Sequence, residues 1–220
     1  MTAALPHLKV EQRLIVQGFS VVIGVDEVGR GALAGPVSVG AVAWWPGAGE
    51  PPVGIRDSKL VPEKSRDGLA ASVKQWVSLV AVGHAEPDEI DRNGIVPALG
   101  VAAVRAVTEL VGRFAEGTTP IVLLDGSQDW LSAVLPAPIP VVTQVKADRD
   151  CVSVAAASIV AKAERDSLMR RFAAKHPAYG FDSHKGYGSA RHMEALREHG
   201  LTALHRRSFV HPQRLVASSD

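Results

Sequence analysis

The chain has 220 residues, 46% of them hydrophobic, enough for one domain with a well-filled core and too many for a disordered chain. Its single cysteine, Cys151, excludes an intrachain disulfide framework and a cysteine-rich zinc site, and reads as a small buried hydrophobe in a reducing compartment. The net charge of +1 conceals an asymmetry: residues 1–145 carry 11 basic and 15 acidic side chains, whereas residues 146–214 carry 13 basic and 7 acidic. That local excess is a modest footprint for a polyanion, although a solvated helical surface would look the same.

The N-terminus has neither the charged start nor the apolar core of a signal peptide, and no apolar run is long enough to span a bilayer. A soluble cytoplasmic protein without membrane contact is expected. Val21 to Val25 is an apolar run of strand length, and Val37 to Trp45 carries β-branched and aromatic residues in partial alternation, so both read as strands. Trp44 to Pro52 is a surface loop rich in proline and glycine. Pro62-Glu63-Lys64-Ser65 opens a helix with proline in its first turn, and that helix should end before Val77. Trp76 to Val82 is read as a third strand, Pro87 to Asp91 as a short helix, and about Pro97 to Phe114 as a longer one, with Val101, Val104, Val107, Leu110 and Val111 at helical spacing. Ile121 to Leu124 and Ile139 to Val145 follow as strands. Val152 to Ala174 is a long helix whose stretch Ala155 to Ala163 is lined with small side chains suited to close packing on a sheet. Strands followed by alternating helices and strands imply an α/β fold. No internal repeat or interdomain linker is present, so the whole chain is taken as one unit, with an N-terminal extension over about residues 1–18 and a helical, substrate-contacting segment over about 180–220.

The chemistry concentrates where apolar runs end in acids. Val21 to Val25 leads into Asp26 and Glu27 and then a Gly29-Arg30-Gly31 turn, and Ile121 to Leu124 leads into Asp125. Neighbouring strands lie about 4.8 Å apart, so acids at equivalent ends repel unless a cation binds them or one takes a proton. Strict alternation sends Asp26 and Glu27 to opposite faces, which implies that the strand ends or bulges there. Asp148 and Asp150 stand just before the long helix, where aspartate commonly caps free amides. Arg165 and Asp166 read as a surface pair within that helix. His184-Lys185-Gly186-Tyr187-Gly188 puts a cation and an aromatic on a flexible loop, a composition suited to touching phosphate and stacking on a sugar or base. Gly29-x-Gly31-x-x-Ala34 fits a dinucleotide fingerprint only superficially, because Pro36 and a β-like run follow where a helix is required. Gly24 to Gly29 is no phosphate-binding P-loop, since Arg30-Gly31 stands where Lys and Ser/Thr belong. The eight histidines offer no His-x-x-x-His pair on a promising helix, which disfavours a zinc hydrolase.

Taken in order, several segments resemble the ribonuclease HII family, the bacterial type 2 ribonucleases H: Asp26 to Val37, Asp57-Ser58-Lys59, Asp125-Gly126, Ala156 to Lys162, His184-Lys185-Gly186-Tyr187 and His205-Arg206-Arg207-Ser208-Phe209. The resemblance runs over about residues 20–210. It implies a ribonuclease H-like fold, a mixed central β-sheet flanked by helices with a small C-terminal helical extension. It also implies four catalytic, metal-binding acids, Asp26, Glu27, Asp125 and Asp148, with Asp150 as the fallback for the fourth. Asp148 falls in Lys146-Ala147-Asp148, where alanine replaces the family's glycine; that matters only if the position needs a positive φ.

The implied chemistry is two-metal phosphodiester hydrolysis with Mg²⁺ or Mn²⁺, giving a 5′-phosphate and a 3′-hydroxyl. The implied substrates are RNA–DNA hybrids and duplex DNA containing single ribonucleotides. The resemblance assigns recognition of the 2′-hydroxyl to the Gly29, Arg30 and Gly31 backbone and to Tyr187, and makes Lys59, Lys185 and Arg30 phosphate contacts. A monomer is expected, and no clear sliding-clamp peptide stands in Val210 to Asp220. The rivals are a noncatalytic hybrid-binding protein, a dinucleotide-binding oxidoreductase, and a type 3 ribonuclease H, which normally carries a sizeable extra N-terminal domain for which residues 1–20 leave no room.

Overall fold

A computed structural model describes residues 5–211. Five strands, β1 (Val21–Val28), β2 (Val37–Trp44), β3 (Val80–Ala85), β4 (Pro120–Asp125) and β5 (Val141–Gln144), form one mixed sheet in the order β3-β2-β1-β4-β5. β1 pairs with β2 and β2 with β3 in antiparallel fashion, while β4 runs parallel to both β1 and β5. Between the strands lie α1 (Lys9–Val16), α2 (Glu63–Trp76), α3 (Pro87–Asn93), α4 (Ile95–Val111), α5 (Ala147–Asp150) and α6 (Val152–Lys175), and α7 (Phe181–His184) and α8 (Ala190–His199) follow.

Alternation along β1 divides the core. Ile23 and Val25 join Leu99, Ala103 and Leu110 of α4 on one face, whereas Val22 joins Leu123, Cys151 and Val154 on the other. The small residues of α6 let its backbone lie directly on the sheet: a Cβ on Gly40 would come within 2.3 Å of the Ala157 carbonyl, and one on Gly24 within 2.3 Å of the Ser153 carbonyl carbon. This is the packing read from the alanine stretch. Cys151 is fully buried, and burial pushes its thiol up to about 12, in line with its reading as a hydrophobe.

Four local expectations need correction. The strand read over Trp76 to Val82 lies at Val80–Ala85, because Trp76 stays in α2 and ties that helix to the loop after β2 by giving its indole N–H to the Gly49 carbonyl at 3.1 Å. The first strand neither ends nor bulges at the acids; its ladder with β2 runs on through Glu27↔Val39 and Val28↔Ser38. Asp148 and Asp150 do not cap the long helix. They belong to α5, and the residue at the start of α6, Cys151, makes no side-chain cap. Arg165 and Asp166 are buried and do not pair with each other: Arg165 binds main-chain carbonyls, and Asp166 takes Arg66 and Lys162. The tail read for a clamp peptide lies outside the described residues from 212 onward, and residues 1–4 do likewise.

Candidate active site

Asp26 and Asp125 meet through strand register. Val25 stands opposite Leu124 on the parallel neighbour, so the next residues, Asp26 and Asp125, come side by side at the C-terminal ends of β1 and β4. Alternation puts both on the α6 face, Asp26 two residues after Gly24 and Asp125 two residues after Leu123. Glu27, the next residue, meets Arg30 at 3.4 Å and lines the same cleft as Asp26.

Asp125 is also a cap. Its Oδ1 accepts the Ala147 amide at 2.6 Å and the Asp148 amide at 3.3 Å, fixing the start of α5 and bringing Asp148 to the same sheet end. The left-handed conformation in this turn falls on Lys146, at φ 61°, and not on Ala147, which is helical and buried. Alanine in the place of the family's glycine is therefore accommodated without strain.

The acids are electrostatically crowded. Asp26 is 6% exposed, and burial, followed by the charge of Glu27, raises its carboxyl well above the usual aspartate range; the Ser158 hydroxyl partly offsets this, while Asp125 and Asp148 add to it. Burial also raises Glu27 against the opposing pull of Arg30. Asp148 is raised by burial and by Asp125 and Asp57, with Lys59 opposing. The Lys59 ammonium lies 3.6 Å from Asp148 and 3.8 Å from Asp57. Burial pulls it down, but Asp57, Asp148 and Asp26 outweigh that and hold it above the ordinary lysine value.

Among the described residues, no three acidic, histidine or cysteine side chains are gathered tightly enough to hold an ion as they stand. The Glu27 carboxylate is engaged by Arg30 and that of Asp148 by Lys59. The donors themselves, four carboxylates with one of them desolvated, are the hard oxygen ligands that suit Mg²⁺ or Mn²⁺.

Asp26 and Glu27 open into a cleft of about 220 Å³, lined further by Val28 to Gly31, Ser58, Lys59, Ser158, Lys162 and Tyr187. Gly29 adopts φ +84°, and a Cβ there would strike the Arg165 guanidinium at 2.1 Å. Around Gly31, in contrast, nothing lies within 4 Å of an added Cβ, so its backbone is open to a ligand. Tyr187 is 39% exposed on the cleft.

Lys185 departs from its expected role. It is only 5% exposed, its ammonium pairs with Glu63 at 2.8 Å and also binds the Asp182 carbonyl, and it does not line the cleft. Its side chain is a tie between α7 and α2. Ser58, Ser158 and Lys162 line the cleft although the residue-by-residue reading gave them no role. The two serines share a 2.8 Å hydrogen bond, and Lys162 is bound to buried Asp166, which also holds Arg66 at 3.3 Å.

The family model for ribonuclease HII matches residues 23–212. The chain belongs to the ribonuclease HII family. As such it is an enzyme of the ribonuclease H class. The ribonuclease HII of Streptomyces avermitilis is 45% identical over 194 residues, covering 88% of this chain and 78% of that one. The ribonuclease HII of Cereibacter sphaeroides is 41% identical over 211 residues, covering 95% and 93%. Among solved structures, ribonuclease H2 from Pyrococcus horikoshii superposes with a TM-score of 0.72 at 26% identity, over 86% of this chain and 93% of that one. The ribonuclease H-like α/β fold expected from the sequence is thus the fold observed, and the oxidoreductase reading is overturned.

Proposed function

We propose that this ribonuclease HII cuts the RNA strand of RNA–DNA hybrids and also cuts duplex DNA 5′ to an embedded ribonucleotide, leaving a 5′-phosphate and a 3′-hydroxyl, with two divalent cations as cofactors. The observation that carries the reading is the in-register pair of Asp26 and Asp125, beside a cleft bordered by the Gly29–Gly31 backbone and Tyr187. Asp26, Glu27, Asp125 and Asp148 would hold the cations, Mg²⁺ or Mn²⁺. Once bound, these supply the positive charge that activates water and stabilises the departing oxygen.

The remaining residues bind and orient. Lys59, whose side chain is 77% exposed, pairs with Asp148, and Arg30 pairs with Glu27, and each can turn to a backbone phosphate. Such contacts position a duplex without reading its sequence, so cleavage is sequence-tolerant and weakens with salt. The open backbone at Gly31 allows close approach of a ribose, whose 2′-hydroxyl distinguishes RNA from DNA. Tyr187 offers a ring for the following deoxyribose. Lys185, buried against Glu63, is left out of the phosphate contacts.

A labelled duplex with one ribonucleotide, incubated with wild type or Asp125→Asn in Mg²⁺, Mn²⁺ or EDTA and mapped at nucleotide resolution, tests this. Metal-dependent cutting 5′ to the ribonucleotide, lost in the variant, is expected. Binding without cutting in either metal would refute the proposal and leave a hybrid-binding protein.

A further inference from the structure

The loop leaving β1 has four of its main-chain carbonyls taken by two guanidinium groups from distant parts of the chain. Arg206 donates Nη1–H to the Arg30 carbonyl and Nε–H to the Gly35 carbonyl, both at 3.0 Å. Arg165 donates Nη2–H to Ala34 at 3.0 Å and Nε–H to Pro36 at 2.9 Å, while its Nη1–H crosses to the Lys185 carbonyl at 2.9 Å. The Arg165 guanidinium carbon also lies 5.7 Å from the centre of the Tyr187 ring. The same two loops are joined directly by the Leu33 and Ala34 amides, which both donate to the Gly186 carbonyl.

Both arginines are fully buried, and none of these hydrogen bonds goes to a carboxylate. Among the described residues Nη2 of Arg206 has no partner at all. A buried cation without a counter-ion is costly, and an apolar side chain of similar volume fills space with less penalty. What only a planar guanidinium supplies is a rigid fork that fixes several carbonyl directions together. In a trans peptide the C=O and N–H point in opposite directions, so Arg206, by holding the Arg30 carbonyl, also fixes the Gly31 N–H. Arg206 is itself anchored: its amide donates to the Leu33 carbonyl at 2.8 Å, the Phe209 ring lies 5.3 Å from its guanidinium, and Asp91 of α3 accepts the next two amides, Arg207 and Ser208, at 2.9 Å each.

We propose that Arg165 and Arg206 are positioning residues that hold the Arg30–Gly31 peptide and Tyr187 in one fixed spatial relation, and that this relation sets the preference for a ribonucleotide followed by deoxyribonucleotide over continuous RNA. The inference rests on the substrate reading given above. It gives the two buried arginines a share in specificity although neither is exposed to substrate.

The test uses the full-length protein, Arg165→Lys and Arg206→Lys, which keep the charge and lose the fork. Their kcat and KM are measured on a duplex with one ribonucleotide and on a full RNA strand paired with DNA. The ratio of kcat/KM for the single ribonucleotide to that for continuous RNA should fall about tenfold or more, since a displacement of about 1 Å is enough for such losses. Combining Arg165→Lys with Tyr187→Ala should cost no further discrimination than Tyr187→Ala alone. Equal losses on both substrates, unchanged discrimination, or additive losses in the double variant would overturn the proposal. If thermal melting shows that the lysine variants do not fold, Phe209→Leu, which loosens the Arg206 guanidinium without altering a buried charge, should lower the ratio in the same direction, and an unchanged ratio would overturn it. A wild type that cuts neither duplex refutes the substrate reading instead.

Discussion

Lowering the pH should destabilise this protein through its buried histidines, His205 foremost. His205 is 2% exposed, and burial, reinforced by His192 and His176, pushes its imidazole down from 6.5 to about 4. Its hydrogen bonds fix the neutral form. The Thr202 amide donates to Nδ1 at 3.0 Å, so the ring proton sits on Nε2, which donates to Nε2 of His192 at 3.1 Å; Nδ1 of His192 in turn donates to the Tyr187 carbonyl at 2.9 Å. A folded value below the unfolded one means that this stability is fully present above about pH 6.5 and lost as the pH falls toward 4, because the unfolded chain takes the proton first. Between pH 7 and pH 5 the loss comes to about 2 kcal/mol, approaching ~3 kcal/mol below pH 4. Urea unfolding of wild type and of His205→Gln, which keeps a donor and does not titrate, measures it. The wild-type curve should fall more steeply than the variant's by about that amount, the difference cancelling the contributions of other groups. Equal pH dependence in the two proteins would refute the tautomer chain that ends on the Tyr187 carbonyl.

Other expectations follow from the same packing. Asp26→Asn should abolish cleavage yet raise the melting temperature, because burial and the charge of Glu27 both disfavour an ionised carboxyl at this position; a lower melting temperature would contradict that balance. Gly40→Ala should cost about 1–3 kcal/mol by forcing α6 away from the sheet, whereas Gly31→Ala should leave stability unchanged and impair cutting at a single ribonucleotide, as denaturant unfolding and cleavage assays would show. The Cys151 thiol, pushed up to about 12, should resist alkylation at pH 8 in the folded protein and react once unfolded; mass spectrometry of a timed reaction reads this directly.

Asp26, Glu27 and Asp125 are legible in the sequence as acids because an apolar run leading into an acid marks a strand that delivers it to one end of the sheet. The sequence could not show that β1 continues through both acids, since that depends on the ladder to β2, whose own residues lie ten and more positions away. Asp148 came from resemblance alone; by local rules it was a helix cap, and the actual cap, Asp125 on the amides of Ala147 and Asp148, joins residues 22 and 23 apart. Trp76 and Val77 looked like the start of a strand because aromatic and β-branched residues favour strands, yet tertiary packing kept Trp76 in the helix. Lys185 sat in a loop composition suited to phosphate, and only the fold reveals Glu63 waiting for its ammonium. Arg165 reads as half of a surface pair because no periodicity distinguishes a charged residue facing solvent from one facing a row of carbonyls. The histidine chain beneath Tyr187 gave no signal either, its members being spread over residues 184–205.

Two local rules are broken close to the cleft, and they are broken with opposite sign. Asp26 is a buried carboxylate surrounded by other acids, and Arg165 and Arg206 are buried guanidiniums bound to carbonyls, yet none of the three forms an ion pair with another. A sequence shaped only for stability would pair such charges or replace them with apolar side chains, as buried ion pairs often can be without loss. Keeping them apart leaves the negative charge available to a cation and the positive charges committed to shaping backbone. The Gly29–Pro36 loop spans the space between these tasks: it begins three residues beyond Asp26, and the arginines hold its carbonyls. A substitution that let Arg165 reach a new carboxylate would therefore stabilise the chain and loosen the loop at once, so greater stability would come with a weaker preference for a single ribonucleotide over continuous RNA.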